Sequence, residues 1–236
     1  MRKAFTSFAA ALGFLPGLFP LSVTCQSFTN LDFEAANVPI LAPGEPGGFV
    51  PVADATPGWR VFLEGVESPA VFYNDPILSS SAVMLSGPNF VFLGSPIPAI
   101  EGRFSVYLNA GGSTILHPAT ISQTGLVPSG SMSIQARIFA TSPDFIVSLN
   151  GTPIAMYPLS VSSGYTTYGG DISAFSGQMA TLAFTAPPTA ANPFFRIGLD
   201  AISFSPMPVP EPSVIALAAI GALLLGLRRW RIARRS

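Results

Sequence analysis

The stretch SMSIQARI, residues 131–138, decides the fold class. Met132, Ile134, Ala136 and Ile138 alternate with Ser131, Ser133, Gln135 and Arg137. An extended strand puts successive side chains on opposite faces, so apolar and polar sets at period two mark a half-buried strand. The same period recurs on either side. Phe104, Val106 and Leu108 alternate with Arg103, Ser105 and Tyr107, and Trp59, Val61 and Leu63 with Arg60, Phe62 and Glu64. Ala180, Leu182 and Phe184 alternate with Thr181, Ala183 and Thr185. Gly, Pro, Ser and Asn clusters separate these segments, and no convincing amphipathic helix interrupts them.

Local signals refine this picture. Phe145 to Leu149 runs into Asn150-Gly151 and then Thr152 to Tyr157, the chemistry of a hairpin whose turn residues take positive φ. Gly169-Gly170-Asp171 reads as a loop ending in one helical turn, with Asp171 as its N-cap. In the last strand, Phe195 to Phe204, Phe195, Ile197 and Leu199 share one parity, whereas Ile202 and Phe204 share the other. A bulge near Asp200-Ala201 returns both sets to one core. Many short strands over about 180 residues predict an all-β fold, an antiparallel two-sheet β-sandwich of the jelly-roll kind.

Both ends of the 236-residue chain read as processing segments. Arg2 and Lys3 precede an apolar stretch from Ala4 to Leu15, followed by Pro16, Gly17 and Pro20. That is a secretory signal peptide, residues 1–25, removed by signal peptidase near Thr24 to Gln26. Cys25, the single cysteine, lies at this junction; a lipidated cysteine is the alternative, and Ser22-Val23-Thr24 departs from the residues that usually precede one. The sandwich then occupies residues 26–205. Of 11 Lys+Arg, two lie at Arg2-Lys3 and five from Arg228 onward, leaving Arg60, Arg103, Arg137 and Arg196 against 12 acids that all lie between Asp32 and Glu211, so the exported part carries a net charge of −8. An acidic body without a basic patch excludes a nucleic-acid partner. Without a cysteine framework it must hold together by packing.

Little in the body points to catalysis. The one histidine, His117, precedes Pro118 in a loop-like stretch and reads as a surface residue, and no nucleophile with a positioned base is recognisable. The glycine run from Pro43 to Gly48 lacks the lysine of a phosphate loop. Glu64 and Glu67 are solvated rim acids on this reading. The expectation is a protein that is not an enzyme.

Asn30-Leu31-Asp32-Phe33-Glu34 and Leu199-Asp200-Ala201-Ile202 form the one constellation of interest. On a strand, Asp32 and Glu34 point one way while Leu31 and Phe33 point into the core. Adjacent first and last strands bring Asp200 towards them, and gathered oxygens suit Ca²⁺; exposed acids that keep the domain soluble are the alternative. The opening resembles that of galactose-binding-like carbohydrate modules. The resemblance implies that Asp32, Glu34 and Asp200 hold a structural calcium. Sugar-binding modules stack rings on sugars; Trp59, Tyr73 and Tyr107 are candidates, with Tyr165 and Tyr168, in a Gly/Ser/Thr-rich loop, best placed to face a ligand.

The C-terminus carries the most specific signal. Residues 206–212, Pro-Met-Pro-Val-Pro-Glu-Pro, cannot be helix and read as an extended spacer. Ser213 to Leu227 is an uncharged apolar run of 15 residues, about 22 Å long as a helix, short of the roughly 30 Å hydrocarbon core. Arg228 and Arg229 follow, with three further arginines, and hold that end in the cytoplasm. Residues 213–236 therefore read as a transmembrane helix with an Arg-rich tail and leave the sandwich outside. Pro210-Glu211-Pro212, the apolar run and the arginines, in this order, resemble the PEP-CTERM sorting signal of Gram-negative bacteria, a segment also catalogued as an ice-binding protein C-terminal domain. The resemblance implies recognition of Pro210, Glu211 and Pro212 by an exosortase, cleavage near that motif, and association with exopolysaccharide, biofilm or other cell-surface material.

Overall fold

The alternating segments do form strands, and the computed structural model describes them within residues 26–75, 80–111, 117–141, 144–188 and 196–209. In chain order they are β1 (Gly48–Pro51), the single-turn α1 (Val52–Ala55), β2 (Arg60–Leu63), β3 (Val66–Ser68), β4 (Ala70–Tyr73) and β5 (Ala82–Ser86). There follow β6 (Val91–Phe92), β7 (Ser95–Pro96), β8 (Ser105–Asn109), β9 (Ala119–Leu126), β10 (Ser133–Ala140) and β11 (Ile146–Leu149). The last are β12 (Thr152–Ile154), β13 (Tyr157–Ser162), β14 (Tyr165–Asp171), β15 (Met179–Ala186) and β16 (Arg196–Ser205).

The larger sheet has the order β1-β4-β5-β8-β16-β10-β14-β13 and the smaller β12-β11-β15-β9-β2-β3, while β6 and β7 form a small ribbon. Their facing residues make one core, with Val106, Leu108, Ile134, Ile138 and Leu199 from the larger sheet meeting Val61, Ile121, Leu149, Leu182 and Phe184 from the smaller. The result is a β-sandwich. One pairing departs from the antiparallel expectation: β4 and β5 run parallel, with Phe72 opposite Met84. Alternation reports which residues share a face but is silent on strand direction.

The Asn150-Gly151 hairpin forms as expected. Asn150 and Gly151 have φ of 50° and 77°, and the turn is tied to β15 because the Thr181 N–H donates to Asn150 Oδ1 at 2.8 Å. The bulge is also present: Gln135 pairs with Ser203 while Arg137 pairs with Asp200. The added residue lies where Ala201 takes φ 46°, and Ile202 and Phe204 then reach the core.

Three expectations need correction. Gly169, Gly170 and Asp171 belong to β14 rather than to a loop, and the following 3-10 turn, Ser173–Phe175, is capped by Ile172. Asp171 accepts the Ser173 N–H at 2.8 Å from one position further back. Asp32 and Glu34 lie in consecutive turns, not on a strand, because Asn30 and Phe33 take φ of 50° and 58°. Phe33 is fully buried all the same. The first strand, β1, sits at a sheet edge far in order from β16; it is the preceding segment that reaches β16, where the Ile202 N–H donates to Leu31 O at 2.9 Å.

The expected spacer is in part attached to the body. Ser133 Oγ donates to Met207 O at 2.7 Å, and Val209 is buried. Among the described residues no helix is long and apolar enough to cross a membrane. The signal peptide with Cys25, Phe195, the motif residues Pro210, Glu211 and Pro212, and the apolar helix with Arg228 and Arg229 lie outside the described residues.

Candidate functional site: a cleft on the outer sheet face

All five residues of β8 are buried, so the larger sheet is covered on both sides at its centre. Val106 and Leu108 face the core. Ser105, Tyr107 and Asn109 point the other way and lie beneath the segment from Gly87 to Phe104, which carries the β6–β7 ribbon. Between that segment and the sheet runs a cleft of about 310 Å³, at the small end of the roughly 300–1,000 Å³ typical of ligand pockets. Met84, Tyr107 and Phe139 line it from the sheet, Phe90, Ile97 and Ile100 from the covering segment.

Gly198 sets how Tyr107 lies. A Cβ at Gly198 would stand 2.7 Å from Tyr107 Cε1, so only glycine lets the ring rest against β16. Tyr107 and Phe139 then meet at 6.4 Å between ring centroids with planes tilted by 56°. Tyr165 lines the cleft from the start of β14, and the Arg137 guanidinium covers its ring at 5.3 Å. The polar end is built by the β8–β16 register, which places Arg196 opposite Asn109; both line the cleft. Asn109 Nδ2 donates to the Ser80 carbonyl at 2.8 Å. That acceptor fixes the amide orientation, and Asn109 Oδ1 is left buried with no hydrogen-bond partner.

The covering segment is held down by carboxylates. Asp200 is fully buried; its Oδ2 accepts the Glu101 N–H at 2.9 Å and the Ser105 hydroxyl at 2.7 Å, and its Oδ1 accepts the Ala201 N–H at 2.7 Å. Burial pushes the Asp200 carboxyl up to about 6, against the opposing pull of the bonds from Ser105, Glu101 and Ala201. Glu34 Oε1 accepts the N–H groups of Arg103 and Phe104 at 2.7 and 3.0 Å, and Glu101 pairs with Arg137. Burial also raises the Tyr107 hydroxyl, with the Asp200 charge adding to it and Arg196 opposing.

These contacts place the residues expected from sequence. Glu34 and Asp200 clamp the same segment, yet three of their oxygens already accept N–H or O–H groups, and Asp32 is used locally, accepting the Glu34 N–H at 3.3 Å. Among the described residues no three His, Cys, Asp or Glu side chains gather as a metal group. The donor set does not fit a calcium centre shared by Asp32, Glu34 and Asp200. Tyr165 and Tyr168 are strand residues, not loop residues. Their opposite parity divides them: Tyr165 faces the cleft, whereas Tyr168 packs against the core and meets Phe145 edge-on at 4.9 Å. Trp59 is a core residue whose Nε1–H donates to Asn30 O at 2.9 Å, and Tyr73 is buried, its hydroxyl donating to Pro39 O at 2.8 Å. Glu67 pairs with Arg60, and His117 faces Glu64 at 3.6 Å.

Sequence reasoning missed Met84, Asn109, Phe139 and Arg196. A signal for two of these positions, Met84 and Phe139, did exist, and Tyr107 shares it. Met84, Tyr107 and Phe139 are apolar or aromatic residues on the parity that a half-buried strand gives to polar side chains, which marks a sheet covered on both faces.

Residues 208–235 match the PEP-CTERM protein-sorting motif. No curated protein sequence matches the chain. Among solved structures, TmCBM61 in complex with beta-1,4-galactotriose aligns at 11% identity over 76% of this chain and 97% of its own, with a TM-score of 0.41. The Stig cyclase Fisc from Fischerella sp. TAU aligns at 16% identity over 75% and 94%, with a TM-score of 0.45. A family 11 carbohydrate-binding module from Clostridium thermocellum, in complex with a beta-1,3-1,4-mixed-linked tetrasaccharide, aligns at 12% identity over 66% and 94%, with a TM-score of 0.35. At such identities none of them assigns a ligand or a reaction to this chain.

Proposed function

We propose that this chain is an exported, noncatalytic surface or matrix protein, a β-sandwich binding module delivered through its C-terminal sorting motif. The match of residues 208–235 to that motif carries the reading. A sorting signal of this class implies export and processing by an exosortase. The apolar run from Ser213 to Leu227, with arginines behind it, is suited to hold the chain at the membrane while Pro210-Glu211-Pro212 is recognised, and the working protein is then extracytoplasmic. The body acts by binding, with exopolysaccharide or biofilm material as its expected surroundings. Its buried acid, Asp200, is closed in by three donors and serves to hold the cleft's cover rather than to move protons on a substrate.

The test is the intact mass of protein recovered from producing cells with the exosortase present and deleted. The expected mature form lacks residues 1–25, and in the presence of the exosortase it also lacks the segment following the motif. Identical masses in the two strains overturn the sorting part of the reading. Tyr165 at the cleft favours a second reading, a carbohydrate-binding module, without the structural calcium that its donor set does not fit. Retention on purified exopolysaccharide that is lost in Tyr165→Ala supports it, and equal retention of both proteins refutes it.

A further inference from the structure

The cleft's lining is selective in its chemistry. Its sheet side is Met84, Tyr107 and Phe139, and its covering side is aromatic and aliphatic. A sugar ring brings several hydroxyls, each needing a partner once taken from water. Here most of the wall is apolar, and the polar side chains that line it are Arg196, Asn109, Ser163 and the hydroxyl-bearing Tyr107 and Tyr165.

Of the four arginines of the body, Arg103 and Arg196 have no carboxylate partner among the described residues, and Arg196 is the one that lines the cleft. Arg60 is paired with Glu67 and Arg137 with Glu101, and Arg103 lies over the Phe104 ring at 5.1 Å. Among the described residues no carboxylate stands within ion-pair distance of Arg196, although the body is acidic. A planar guanidinium without a counter-ion at the end of an apolar cleft is a site for a carboxylate, which it binds with two parallel N–H donors. Directly across the strand pair, Asn109 Oδ1 is buried below the cleft's surface, with essentially no accessible area, so it is not a contact for a ligand lying in the cleft. The Tyr107 ring, laid against β16 by Gly198 and edged by Phe139, is a platform for a flat apolar body.

The geometry points to a small aromatic carboxylic acid as the ligand of this cleft: its ring on Tyr107 and its carboxylate on the Arg196 guanidinium. This assignment rests on the reading of the body as a binding module and names the ligand class of the cleft. Binding is noncovalent; no bond in the ligand is made or broken.

The experiment is isothermal titration of the exported protein, recovered from producing cells, with 2-naphthoate and its methyl ester. One saturable site is expected for the acid. Esterification removes the charge and weakens binding to wild type about tenfold, the size of one charge-assisted contact. Arg196→Gln weakens the acid about tenfold and leaves the ester unchanged. The ester comparison is made on the wild-type protein, so it decides the matter even where the variant fails to fold. Absence of saturable binding, or equal affinity for acid and ester, overturns the assignment. Saturable binding of a neutral oligosaccharide in place of the acid overturns it too, while leaving the binding-module reading intact. A protein that binds neither acids nor glycans fails both.

Discussion

Asp200 supplies a pH dependence whose sign runs against that of most acidic clamps. Its carboxyl is pushed from 3.8 up to about 6 by burial, so between these values the folded chain keeps a proton that the unfolded chain has released. The associated stability is fully present below pH about 4 and is lost as pH rises through about 6. At about 1.36 kcal/mol per pH unit the gap is worth roughly 3 kcal/mol in total. About 2 kcal/mol of that remains at pH 4.5, and almost none at pH 7. Asp200→Asn keeps the side chain's shape and removes the titration. Urea unfolding followed by intrinsic fluorescence at pH 4.5, 5.5, 6.5 and 7.5 reads both proteins. Other acids titrate alike in each, so the wild-type minus variant difference isolates Asp200. That difference is expected to shift against wild type by about 2 kcal/mol between pH 4.5 and 7.5. Parallel profiles, or a wild type that gains on the variant as pH rises, would show that the bonds from Glu101, Ser105 and Ala201 outweigh burial and would refute the reasoning.

Further outcomes follow from single contacts. Phe184→Ala in the fully buried centre of β15 is expected to cost about 3–5 kcal/mol in urea unfolding; a loss under 1 kcal/mol would contradict the burial. Gly151→Ala forces a side chain into φ 77° and should lower stability by about 1 kcal/mol through the hairpin turn, while an unchanged melting temperature argues for another turn. Glu67→Gln breaks a solvent-exposed pair with Arg60 and should leave the melting temperature where it is, because water screens both groups. Millimolar Ca²⁺ should also leave it unchanged; a rise abolished by Glu34→Gln would show that Glu34 and nearby carbonyls accept a cation after all.

Within residues 131–138, Ile134, Ala136 and Ile138 reach the core as foretold, because alternation is a local property that one strand carries by itself, whereas Met132 precedes β10 and is exposed. The bulge at Ala201 was equally legible, since Leu199 and Ile202 have opposite parity and both had to reach one core. The cleft was not. Its cover, from Gly87 to Phe104, has no period, and its position over β8 is set by Glu34 and Asp200, some 70 and 100 residues away from their partners in sequence. Nothing local to Asp200 announces that Glu101 and Ser105 will close over it. The same limit misplaced Tyr165 and Tyr168: glycines and threonines suggested a loop, but pairing with β10 and β13 makes a strand and sends the two rings to opposite faces.

The attachment of residues 206–209 bears on how this protein meets its sorting machinery. Met207 is held by Ser133, and Val209, only 9% exposed, packs where a Cβ on Gly169 would stand 2.9 Å from its Cγ2. Pro210 is the next residue in the chain. The described chain is thus held to the folded wall up to the residue before Pro210. On the proposed sorting reading, a protease that fits several residues on the body's side of its cut would have to undo the packing of Val209 on Gly169. Loosening it should quicken maturation without altering a single residue of the motif.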